Sequence, residues 1–157
     1  MVIKLRSKRL AHLFAEVWEH LPEADQALLS KQTRLVLDDP VFQPKEEAHR
    51  KTVWGIAISL GVRKSIAIVY LSQRKLPRQS DDFVRYVIAH ELGHIFCGHT
   101  DDLVSSHSND LTDDECPDLF ETEADEQASV WGFPIVSPKP TPKRHSPLRK
   151  GVGYRKT

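Results

Sequence analysis

His90, Glu91 and His94 stand in the order H-E-x-x-H within the apolar run Tyr86-Val87-Ile88-Ala89-His90-Glu91-Leu92-Gly93-His94-Ile95-Phe96. On a helix, side chains four apart share a face one turn apart, so His90 and His94 would project together. Two neutral imidazoles so placed can fill two corners of a tetrahedral zinc site. Glu91, beside the first His, can hydrogen-bond a water activated there and take its proton. Zinc would lower the pKa of that water and polarise a carbonyl. The chemistry these three residues suit is hydrolysis by an activated water.

Such residues need a helix, and the flanking sequence predicts one. Ser80 is a cap and Asp81 and Asp82 are acids in the first turn. Phe83, Val87, Ile88, Ile95 and Phe96 form an apolar stripe, and Gly98 is placed to end the helix. A second helix is expected around Pro117-Asp118-Leu119-Phe120-Glu121-Thr122-Glu123-Ala124-Asp125, with Pro117 at its first position and Asp114 or Cys116 as the cap. Glu121 and Asp125 are four apart on it. Glu121 can be a third metal ligand, and Asp125 can accept a hydrogen bond from the non-ligating nitrogen of a ligand His, His90, fixing its tautomer. Two His, a Glu and a water make an open catalytic site rather than a closed structural one.

H-E-x-x-H followed by E-x-x-A-D resembles the gluzincin metallopeptidases, and within them the small ImmA/IrrE-type family. Residues 90–99 read H-E-L-G-H-I-F-C-G-H, and residues 121–134 read E-T-E-A-D-E-Q-A-S-V-W-G-F-P. The Glu, Ala, Asp, second Ala and Pro fall in the family's register. Gln127 replaces its usual aromatic residue, and Trp131-Gly132-Phe133 replaces Leu-Leu-Met. The resemblance covers roughly residues 50–135. It implies an α+β, zincin-like domain in which His90, His94 and Glu121 hold zinc, and a substrate that is a single DNA-binding repressor cut at one site. It also implies a small sheet whose edge strand pairs with an extended substrate. Metzincins are set aside, because their next two signature positions hold Cys97 and Thr100 here, and His99 is one residue off.

The rest of the chain must position these helices. Leu10, Leu13, Phe14, Val17, Trp18 and Leu21 recur at helical spacing over residues 7–21. Pro22 opens a second helical stretch to about Asp38, with Leu28, Leu29, Leu35 and Val36 inward. Residues 41–50 read as loop. Two β-rich runs follow, Val53–Leu60 and Ser65–Leu71, joined by a link short enough for antiparallel neighbours. Their isoleucines, Ile56, Ile58, Ile66 and Ile68, alternate with small residues as in a half-buried sheet. The polar stretch from Thr100 to Pro117 reads as a long loop. His107, within it, and Tyr70 are candidates for the donor that stabilises an oxyanion.

At 157 residues with a 39% apolar composition, one domain is expected over residues 1–135. Formal net charge is zero, which predicts no polyanion partner from the total. The distribution is uneven: no Lys or Arg occurs from Tyr86 to Pro138, and no acid from Lys139 onward. An acidic span can be a solvated face or a cleft that attracts basic segments. The Pro-rich, basic residues 136–157 are expected to be a disordered tail, able in principle to contact nucleic acid. Two cysteines are too few for a disulfide scaffold. Cys97, His99 and Cys116 can be argued into a structural metal site, although small core thiols are the commoner explanation. The absence of an 18-residue apolar run and of a leader-like h-region makes a cytoplasmic protein, with no membrane partner, the expectation.

The reading that follows is a zinc-dependent endopeptidase acting on a protein or peptide, with N-terminal helices, a small antiparallel or mixed sheet, and the H-E-x-x-H and E-x-x-A-D helices. The alternative is a non-catalytic, zinc-containing module that sequesters a protein partner or nucleic acid.

Overall fold

Ser7 opens the first helix: its hydroxyl accepts the Leu10 amide, and α1 (Lys8–His20) follows. The computed structural model describes residues 5–32, 54–60, 66–73, 75–99 and 116–140. Leu10, Leu13, Phe14 and Val17 are buried along one face of α1, as their spacing predicts, and Trp18 packs against the same core.

The carbonyl of Pro22 accepts the Asp25 and Gln26 amides and starts α2 (Glu23–Gln32). Leu29 is fully buried, whereas Leu28 is 39% exposed, not inward as expected. Adjacent helical positions diverge by about 100°, so one face of α2 cannot bury both. Leu35 and Val36, and the loop expected over 41–50, lie outside the described residues.

The sheet is one antiparallel pair, β1 (Gly55–Leu60) and β2 (Ile66–Leu71), with Gly55 opposite Leu71 and Ala57 opposite Val69. The core-facing side is the small-residue side: Ala57, Ala67, Val69 and Leu71 join the main core. Ile68, on the other face, is also buried, so this part of the sheet is covered on both sides rather than half-buried. Small residues face inward because a helix lies close against them.

That helix is α3 (Asp81–Phe96), preceded by a 3₁₀ turn at Leu76–Arg78 and capped by the Ser80 hydroxyl, which accepts the Phe83 amide. It packs against α1, α2, both strands and the last helix, and so runs through the middle of the fold. Two ion pairs fasten α1 to it. Arg9 binds Asp81 and the carbonyls of Pro77 and Gln79, and Arg85 Nε lies 2.9 Å from a Glu16 carboxylate oxygen. Gly98, with φ of 81°, ends the helix through the left-handed turn expected of it.

The last helix, α4 (Cys116–Val130), begins one residue before Pro117, which therefore takes its second position, where a missing N–H is still tolerated. Ala124 and Ala128 are buried on it. At its end Trp131 donates to Asp25 over 2.8 Å and sets its ring edge-on to Phe96. The chain then returns along the body. Val136 packs on the core, and the Gln79 amide bonds both the N–H and the C=O of Lys139, so the packed unit continues past residue 135. Residues 141–157 lie outside the description. Among the described residues no helix is long and apolar enough to cross a membrane. The whole is a small α+β domain dominated by helices.

Helices α3 and α4 pack backbone to backbone at one point. A Cβ on Gly93 would stand 2.9 Å from the Ala124 carbonyl oxygen and 3.3 Å from its Cα, so the two backbones are nearly in contact. Alanine is a better helix former than glycine by about 1 kcal/mol, while overpacking costs about 1–3 kcal/mol. Gly93→Ala is therefore expected to lower stability in urea denaturation despite the gain in propensity. A variant more stable than the wild type would contradict the contact.

Candidate metal centre

The proximity of α3 and α4 brings three ligand atoms together. His90 Nε2 and His94 Nε2 are 3.0 Å apart. Glu121 places one carboxylate oxygen 3.1 Å from His90 Nε2 and the other 3.5 Å from His94 Nε2. These residues are the one group among the described residues whose ligand atoms could share a metal ion. Two nitrogens each 2.0–2.1 Å from a tetrahedral zinc would be about 3.3 Å apart, close to the separations present here.

The protonation pattern fits a cation as well. Asp125 Oδ1 lies 2.7 Å from His90 Nδ1 and also accepts a 2.6 Å hydrogen bond from the Tyr86 hydroxyl. A carboxylate can only accept, so His90 Nδ1 donates, and a neutral His90 turns the lone pair of Nε2 toward Glu121 and His94. Acceptors that face one another in this way need a shared positive charge. The titration of both residues reflects this. Burial opposes charge on His90, but the hydrogen bond to Glu121 and the neighbouring carboxylates outweigh it and raise its pKa to about 9. The same hydrogen bonds from His90 and His94 hold Glu121 well below the usual carboxylate range.

Glu91 lies beside these donors, between them and the sheet. It is only 6% exposed, and the Ala57 N–H of β1 bonds its carboxylate. A Cβ on Gly55 would fall 2.5 Å from its Oε1, so the bare glycine makes room for the carboxyl group. Burial pushes its pKa up, the two imidazoles pull it down, and the result is about 7.

The chain matches no known protein family, no curated protein and no solved structure.

The structure brings together His90, His94, Glu121 and Asp125, with Glu91 beside them. It does not bring Tyr70 to them. Tyr70 pairs with Ile56 on the sheet face opposite the one that Gly55 and Ala57 present to Glu91. His107 lies outside the described residues. Cys97 is exposed rather than a core thiol.

Three residues around the site were not anticipated. Tyr86 bonds Asp125 and tilts its ring against His90, 5.8 Å between centroids; its spacing of four before His90, repeated at His94, was the available signal. His99 and Glu123 form a chain beyond His94. His94 Nδ1 is 3.0 Å from His99 Nδ1, and His99 Nε2 is 2.7 Å from Glu123 Oε2. With both its nitrogens engaged, His99 is not available to a separate site with the cysteines.

A metal entering the site must displace the His90 proton, which is bound below about pH 9. Zinc affinity is therefore expected to rise about tenfold per pH unit from neutrality toward pH 9 and then level off. Competition with a chromophoric chelator across that range checks it; an affinity independent of pH would contradict it.

Proposed function

We propose that this protein is a zinc-dependent endopeptidase of gluzincin type, with His90, His94 and Glu121 holding the metal. The observation that carries the reading is the pairing of that donor set with a buried carboxyl group of near-neutral pKa, Glu91, on the next residue of the same helix. A general base works best when its pKa lies near the working pH, and burial against β1 brings Glu91 there. Zinc, when bound, supplies polarisation of the scissile carbonyl and acidification of the attacking water.

The chain's own residues do the rest. Glu91 accepts a proton as the water oxygen bonds to the carbonyl carbon, and returns it to the amine nitrogen as the C–N bond breaks. Gly55 and the Ala57 N–H hold its carboxyl group in place, and Asp125 with Tyr86 keeps His90 turned to the site. The described residues supply three protein donors, which leaves room for water and substrate as a catalytic zinc site requires.

The substrate class we propose is a basic protein, such as a DNA-binding repressor. Its support is the resemblance noted above and the absence of Lys and Arg from Tyr86 to Pro138, a span that includes both site helices beyond Arg85. Opposite charge of this kind speeds encounter more than it tightens binding.

The test is cleavage of a peptide library, read by mass spectrometry, with zinc-loaded wild type and Glu91→Gln. The variant is expected to keep its zinc and to lose about 100-fold or more of the activity. Equal cleavage by the two would place the base elsewhere.

A further inference from the structure

The second ligand, His94, has an orienting arm of its own. Glu123 ends a chain that runs through His99 to His94, and with His99 neutral its hydrogen bonds run in one direction. The Glu123 carboxylate only accepts, so His99 Nε2 donates to it across 2.7 Å. A neutral His99 then has a lone pair on Nδ1, which lies 3.0 Å from His94 Nδ1. That leaves His94 to donate from Nδ1 and to direct the lone pair of Nε2 at His90 and Glu121.

The ring between them is held as well as bonded. His99 is buried and stacks on Phe120, 4.7 Å between centroids at 21°. Phe120 and Glu123 are three apart on α4, so one stretch of that helix supplies both the stack and the acceptor. Glu121, between them, is the carboxylate ligand. The left-handed turn at Gly98 precedes His99 directly.

We infer that His99 and Glu123 are positioning residues that fix the tautomer and ring plane of His94 for metal, as Asp125 and Tyr86 do for His90. This rests on the metal reading proposed above. It assigns a use to both the histidine after Gly98 and the second glutamate of Glu121-Thr122-Glu123. Neither belongs to the group of ligand atoms that could share the ion. A ligand His left to rotate must be ordered when the ion binds, and losing an outer partner of this kind typically weakens binding 10–100-fold.

The experiment is a zinc titration of the full chain against a chromophoric chelator, for wild type, His99→Phe, Glu123→Ala and Glu123→Gln. His99→Phe keeps a ring on Phe120 but removes the acceptor, and its zinc affinity is expected to fall tenfold or more. Glu123 is exposed, so its alanine variant tests the arm without disturbing the core. It should also lose about tenfold, and Glu123→Gln, whose amide oxygen can still accept from His99, should recover most of it. In zinc-loaded wild type the Nδ1 proton of His94 should appear as a slowly exchanging, downfield NMR resonance, lost in His99→Phe. A merely structural His99 would instead lower the melting temperature of the metal-free chain and leave zinc affinity within twofold. That result in Glu123→Ala, with wild type binding one zinc, would overturn the inference and leave the His90–His94–Glu121 site standing. A wild type that takes up no zinc would overturn both.

Discussion

Two imidazole nitrogens and a carboxylate gathered at one point hold the key constraint of this structure. His90 Nε2, His94 Nε2 and the Glu121 carboxylate meet across α3 and α4, where a proton or a metal ion can be shared between them. They meet because the helices nearly touch at Gly93 and Ala124. A larger residue at either point would move Glu121 away from the histidines. Much of the remaining architecture keeps α3 fixed while this happens: α1 is tied to it by Arg9 and Arg85, and the end of α4 is tied to α2 through Trp131 and Asp25.

The other demand on the fold is a buried acid. A carboxyl group in a low-dielectric setting resists ionisation, and Glu91 with a pKa of about 7 is a destabilising element in the middle of the central helix. The sheet accommodates it in two ways. Gly55 leaves the space, and the Ala57 N–H supplies a hydrogen bond. This explains why β1 turns small residues to α3 and puts Ile68 of its partner strand on the opposite face. The sheet is shaped around a buried carboxyl group as well as for packing.

Much of this was legible in the chain. The spacing of apolar residues located α1 and α3, Ser80 and Gly98 marked the ends of α3, and the intervals between His90, His94, Glu121 and Asp125 anticipated their convergence. What could not be read had tertiary causes. Which face of a strand is inward depends on what approaches it, and isoleucine alternation is silent on that. Leu28 and Leu29 compete for one helical face, and only packing chooses. His99 and Glu123 meet across a sequence gap, and no local period connects a histidine after one helix with a glutamate inside another. Tyr86 was the exception, since it lies on the same four-residue stripe as both histidines.

Everything turns on whether the convergence binds a metal. The most direct measurement is elemental analysis of the purified wild type beside Glu121→Ala, each prepared without added metal and again after reconstitution with zinc. About one zinc per wild-type chain, lost or sharply reduced in Glu121→Ala, is the expected result, because the variant keeps both imidazoles but removes the carboxylate that faces them. A wild type that holds no zinc even after reconstitution would contradict the account.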